Sequence, residues 1–161
     1  MSATSFTIER SIAIQLPAAR IFPYLNDFRR WRDWSPWEAL DPAMQREYSG
    51  PESGVGSAYR WSGNRKAGEG AMTITAEQGV GRLNIALTFL APFEAENMVV
   101  FELNESTDGS STTVCWRMAG SNSGIRKIVS KLFNLEKVIG KDLDRGLRQL
   151  KRLTESTEAD S

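Results

Sequence analysis

The stretch GIRKIVSKLFNLEKVIGKDLDRGLRQLKRL, residues 124–153, decides the fold. Ile125, Ile128, Val129, Leu132, Phe133, Leu135, Val138, Ile139, Leu143, Leu147 and Leu150 recur largely at steps of three and four, the spacing of one helical face. About 30 residues of helix would be roughly 45 Å long, and an apolar stripe of that length needs an equally long surface to cover it. Gly140 and Gly146 interrupt the stripe where side chains are expected. A glycine costs about 1 kcal/mol relative to alanine inside a helix. The two therefore mark a close approach to the covering surface or room left for something else.

That surface lies upstream. In SFTIERSIAIQL, Phe6, Ile8, Ile12, Ile14 and Leu16 fall on one side and Glu9, Ser11, Ala13 and Gln15 on the other, with Arg10 an exception on the apolar side. Pro17 suits the first position of a helix carrying Ile21, Phe22 and Leu25, and Pro23 kinks it. A second short helical piece is expected around Phe28 to Asp33. From Met44 onward six runs read as strands: MQREYS, SAYRWSG, GEGAMTITAEQ, RLNIALTFLA, EAENMVVFELNES and STTVCWRMAGS. Most are separated by GPESGVG, GNRKAG, GVG and TDGSS, turns too short for the crossover a parallel pair needs. The expected fold is α+β: a curved seven-stranded antiparallel sheet wrapped around the long C-terminal helix, with two short helices after the first strand. Without linker or repeat, residues 1–155 read as one domain and 156–161 as a polar, frayed tail.

This order of elements carries a family resemblance. FTIERSIAI followed by LPAARIFPYL, then W-x-x-W-S-P-W, DP, GPESGVGSAYRWSG, GEGAMTIT and a terminal DRGLRQLKRL resemble the START-like helix-grip (SRPBCC) superfamily over nearly the whole chain. The nearest branch is the polyketide cyclase/dehydrase type. The tryptophan cluster and G-x-G-x-x-Y-x-W-x-G are its most specific pieces. The resemblance implies an elongated apolar cavity between sheet and long helix. Superfamily members bind lipids, quinones, sterols or hormones, act as cyclases or dehydratases, or assist a chaperone, so membership leaves the activity open.

Composition narrows the chemistry. Twenty basic residues balance twenty acidic ones among 161, so no global field points to nucleic acid or an anionic membrane. The RRWR run, residues 29–32, lacks the wider basic surface a nucleic-acid site needs. Nine Lys or Arg against three acidic residues over 124–153 read as a solvated helix face. There is no histidine and one cysteine, Cys115, which argues against metal sites and nucleophilic triads; no cofactor is expected. The lone cysteine fits a reducing compartment. With no apolar run of about 18 residues and no secretory leader in MSATSFTIERSIAIQ, the expected location is cytoplasmic.

The candidate site rests on aromatic placement. Trp31, Trp34 and Trp37 fall within seven positions around Pro36. Left exposed, they would form a patch of several hundred Å², about the largest a soluble monomer tolerates. They are expected to plug one end of the cavity, with at least one ring at its mouth. Tyr59, Trp61, Met72, Ile74, Leu87, Phe89, Phe101, Trp116 and Met118 on the strands, and Phe133 and Ile139 on the helix, are the expected lining. Arg10, Arg46 and Asn97 alternate in phase with apolar neighbours; each would orient a ligand or find an internal partner, such as Glu69 or Glu47 for an arginine. No residue stands out as catalytic. The expected function is binding of a small hydrophobic or amphipathic molecule. The alternatives are a cofactor-independent cyclase or dehydratase, with Arg or Tyr stabilising an enolate, and a protein-interaction module.

Overall fold

The structure is a computed structural model and describes residues 5–38, 40–65, 67–91, 94–121 and 132–159. Alternation produces β1 (Ser5–Ile14), in which Ile8 and Ile14 are buried and Glu9 is exposed. The chain then turns at Pro17 into α1 (Ala18–Ile21), whose first N–H, on Ala18, donates to Glu105 Oε1 at 2.8 Å. At Pro23 the helix tightens into a 3₁₀ turn (Phe22–Tyr24), and a second 3₁₀ turn spans Phe28–Asp33. Asp27 begins the latter, its side chain accepting from Arg29 N at 3.0 Å.

Six strands follow: β2 (Gln45–Ser49), β3 (Ala58–Ser62), β4 (Glu69–Gln78), β5 (Arg82–Ala91), β6 (Ala95–Glu105) and β7 (Thr112–Ser121). With β1 they form one seven-stranded antiparallel sheet in the order β1-β7-β6-β5-β4-β3-β2, so the two strands flanking the 3₁₀ turns are its edges. The GPESGVG turn between β2 and β3 places Gly50, Gly54 and Gly56 at φ of 74°, 83° and 94°, a region glycine enters without steric cost.

The long helix, α2 (Leu132–Ala159), lies along β1. Its expected first turns, residues 124–131, lie outside the described residues. It continues to Ala159, so Ser156–Ala159, the start of the polar tail, is helical. Leu143, Leu147 and Leu150 are buried, whereas Val138, counted in the apolar stripe, is 56% exposed. The two glycines of the stripe have separate explanations. A Cβ on Gly146 would come within 2.8 Å of Pro36 Cδ and 2.9 Å of the Trp116 ring, so here the helix meets the tryptophan segment and the sheet at backbone distance. Gly140 instead leaves space for the Arg10 guanidinium. Near the helix end, Glu155 accepts from Gln15 N at 2.9 Å and Lys151 Nζ donates to the Ala13 carbonyl at 2.8 Å, fastening α2 to the edge strand.

On the outer face Arg117 joins Glu9 (2.7 Å) to Glu102 (3.2 Å), and Arg82 pairs with Glu102 (3.5 Å), a charge ladder across four strands. Cys115 lies beside it on the same face of β7, cross-strand from Glu102; burial and the Glu9 carboxylate push the pKa of its thiol up to about 11. No helix among the described residues is long and apolar enough to cross a membrane.

Candidate functional site: an apolar cavity closed by tryptophans

Pleating sends alternate side chains to the inner face, and the antiparallel register aligns them in rows. Tyr59, Met72 and Leu87 form one row, Ile74, Ile85, Val99 and Met118 the next, and Leu83, Phe101 and Trp116 a third. The tryptophan segment folds over these rows. Trp31 and Trp34 are each 1% exposed, and their indole N–H groups donate to the carbonyls of Leu25 and Tyr24, both at 2.9 Å. Those bonds tie the second 3₁₀ turn back to the first. Trp116 is the hub of the cluster, stacked on Phe101 at 5.1 Å and met edge-on by Trp34 at 5.5 Å and Trp37 at 5.4 Å.

Between segment, sheet and helix remains a cavity of about 190 Å³. The segment contributes Trp31, Ser35, Trp37, Glu38, Leu40 and Met44 to its walls. Tyr59, Trp61, Met72, Leu87, Phe89, Val99, Trp116 and Met118 come from strands, Ala67 from the β3–β4 turn and Ile139 from α2. Trp37, Glu38, Leu40, Ala67, Phe89 and Ile139 are half-buried and mark the side nearest solvent. Close packing normally leaves few voids larger than a water, so a space of this size walled by aromatics and methionines is suited to an apolar guest.

The expected lining separates into two groups. Trp31, Trp37, Tyr59, Trp61, Met72, Leu87, Phe89, Trp116, Met118 and Ile139 border the cavity. Trp34, Ile74 and Phe101 do not, and pack as core around it. The side chain of Phe133 lies outside the described residues. The three in-phase polar residues also border other surroundings. Arg10, opposite Trp116 on the edge strand, reaches past Gly140 to Asp144 at 3.3 Å. Asn97 is buried opposite Gly120, where a Cβ would collide with its side chain. Arg46 pairs with Glu38, so the partners of both arginines differ from the Glu69 and Glu47 suggested by sequence.

Sequence reasoning missed Glu38, the one carboxylate in the wall among the described residues. Its Oε2 accepts from Arg46 Nε at 2.7 Å and its Oε1 from the Tyr59 hydroxyl at 3.1 Å. Arg46 Nη2 also donates to the Glu38 carbonyl at 3.1 Å. The pair is well shielded, with side-chain exposures of 14% for Arg46 and 9% for Glu38. Burial and the Glu38 charge push the Tyr59 phenol well above its ordinary range, so it remains a donor at physiological pH. Burial alone would lower the Arg46 guanidinium, but the Glu38 contact outweighs it and raises it. The only local signal for Glu38 was its place directly after Trp37 in W-x-x-W-S-P-W-E.

The polyketide cyclase / dehydrase and lipid transport family matches residues 5–155. The chain belongs to this family. Solved structures place this member of the polyketide cyclase/dehydrase family among proteins of the same fold at low identity. A protein of Chromobacterium violaceum is 14% identical, with a TM-score of 0.63 over 92% of this chain and 97% of that one. The protein Ara h 8.0201 is 13% identical, with a TM-score of 0.65 over 95% of this chain and 99% of that one. A protein of the dynemicin biosynthetic locus is 16% identical, with a TM-score of 0.58 over 90% of this chain and 47% of that one. No curated protein matches the sequence.

Proposed function

We propose that the protein binds a small hydrophobic molecule in the cavity between its sheet, α2 and the tryptophan segment. The observation that carries this reading is an apolar space of about 190 Å³ walled by tryptophan, tyrosine, phenylalanine and methionine side chains. Membership of a polyketide cyclase and lipid transport family supports it. Native mass spectrometry of protein purified from its own host, followed by extraction of any retained compound, tests it. A bound apolar molecule whose occupancy falls on Val99→Phe, which narrows the cavity, is the expected result. Retention of no compound, together with no binding of small aromatic probes, would contradict it.

A second reading is favoured by Glu38 and Tyr59. A carboxylate and a phenol joined by a 3.1 Å hydrogen bond in the wall of an apolar cavity could move a proton to or from a cyclising or dehydrating substrate. The family's description, polyketide cyclase / dehydrase and lipid transport, agrees with that chemistry. Turnover of a β-polyketone that survives Tyr59→Phe and Glu38→Gln unchanged would remove this reading.

A further inference from the structure

Two basic features of the sequence take no part in the cavity: the RRWR run and the cationic excess of the C-terminal helix. The fold brings them together. Arg32, from the second 3₁₀ turn, and Arg145 and Arg152, from α2, border an open groove of about 1080 Å³. Ser35, Glu38 and Leu40 border both this groove and the cavity, so the tryptophan segment is the partition between the two spaces. On α2 the groove is lined by Arg145, Gln149, Arg152 and Ser156, whose spacing keeps them on one helix face over roughly 16 Å. Much of the remaining wall is apolar, from Trp34, Pro36, Leu40, Pro42 and Leu153. The close approach of Pro36 to Gly146 seats the two sides against each other.

Four arginines border the groove against two carboxylates, Asp33 and Glu38, a net charge of +2 in a chain whose overall charge is zero. Arg46 is spent on Glu38 at 2.7 Å. Arg145 reaches Asp142, outside the groove, at 3.1 Å, an exposed contact of a kind worth little. Neither Arg32 nor Arg152 has an acidic partner among the described residues. A guanidinium is weakly hydrated, and its planar donors match carboxylate, sulfonate or phosphate oxygens. We infer that the groove is a second binding site for an amphipathic organic anion, its charged group held by Arg32, Arg145 and Arg152 and its apolar body lying on Pro36, Leu40, Pro42 and Leu153. The cavity is of the opposite kind, with a carboxylate and no lysine or arginine among the described residues of its wall, so the two sites divide ligands by charge. A groove of net charge +2 that also holds two carboxylates suits one such molecule; nucleic acids and anionic membranes are held by broader basic faces. The inference does not depend on what the cavity binds.

Two dyes with the same ring skeleton test it by calorimetric titration of the full chain: anilinonaphthalene sulfonate and the uncharged phenylnaphthylamine. The sulfonate should bind more tightly than the neutral dye. Arg32→Glu and Arg152→Glu should each weaken the sulfonate by roughly threefold or more and leave the neutral dye nearly unchanged. Both side chains are exposed, and thermal unfolding checks that the variants fold; Arg32→Gln and Arg152→Gln replace them should a reversal unfold the chain. Arg148→Glu makes the same change in net charge at an exposed position of α2 that does not border the groove, and should have no effect. Val99→Phe, which narrows the cavity, should leave the sulfonate bound. Absence of sulfonate binding, equal binding of the neutral dye, or an equal loss on Arg148→Glu overturns the inference. Loss on Val99→Phe also overturns it, by placing the dye in the cavity, and leaves the proposed binding function standing. Inorganic sulfate that displaces the dye at equal strength overturns the amphipathic class. Sedimentation with phosphatidylglycerol vesicles that Arg152→Glu abolishes, in protein that does not bind the sulfonate, would assign the groove to a membrane surface instead.

Discussion

Glu38 joins groups from three parts of the chain: its own loop behind Pro36, Arg46 on β2 and Tyr59 on β3. None of these contacts has a local period, which is why hydrophobic patterning passed over Glu38 yet picked out Arg46. A residue on the apolar phase of a strand announces that something polar lies inside, not what it meets. Breaking a buried pair by removing one partner typically costs about 3–5 kcal/mol, because the other charge is left uncompensated. Arg46→Met should therefore lower stability in urea unfolding by about that much. Adding Glu38→Gln should restore most of it, since no unpaired carboxylate then remains. A double variant as unstable as Arg46→Met would show that packing of the Arg46 stem matters more than the pair. Arg10 shows the same limit of legibility: its phase was visible, but Gly140 and Asp144, which receive it, lie more than a hundred residues away.

At the scale of elements, α2 is held by two devices that differ in kind. The first is shape. Gly146 lets Pro36 and the Trp116 ring approach the helix backbone, whereas the space over Gly140 is filled by the movable end of Arg10. Both glycines should gain about 1 kcal/mol of helix propensity on substitution by alanine. Gly140→Ala should be neutral or stabilising by thermal unfolding. Gly146→Ala should lose a net amount on the order of 1–3 kcal/mol, because proline and indole rings cannot yield without strain. Equal effects at the two sites would refute the close approach. The second device is the fastening of Glu155 to Gln15 N and Lys151. The backbone N–H of Gln15, then Lys151, hold the Glu155 carboxyl below its ordinary value. A group whose folded value is depressed stabilises the fold above its unfolded value, near 4.3 for glutamate, and the contribution is lost as pH falls through the folded one. Glu155→Gln should cost about 1 kcal/mol at pH 7, with the difference from the parent closing below about pH 4. A difference that widens in acid would contradict this.

At the scale of the whole molecule, strand and turn chemistry made the sheet and its covering helix readable, because alternation, three- and four-residue spacing and short turns are local signals. The α+β helix-grip architecture followed from their order, and the polyketide cyclase/dehydrase branch from the resemblance carried by W-x-x-W-S-P-W and G-x-G-x-x-Y-x-W-x-G. The tryptophan segment was legible as aromatic surface needing cover. Its division of labour was not: Trp34 packs edge-on against Trp116 as core, while Trp31, inside the second 3₁₀ turn, and Trp37, beyond it, border the cavity. Size was also hidden in the sequence, since rows of large side chains can fill a sheet's inner face or fall short of doing so. The central claim is that here they fall short, leaving an apolar space beside Trp116 that a guest can enter. Diffraction from a crystal pressurised with xenon tests it most directly, because xenon enters dry apolar cavities and scatters strongly. The account predicts a xenon peak among Trp116, Met72, Leu87 and Val99; electron density showing that region filled by side chains, with xenon absent, would contradict it.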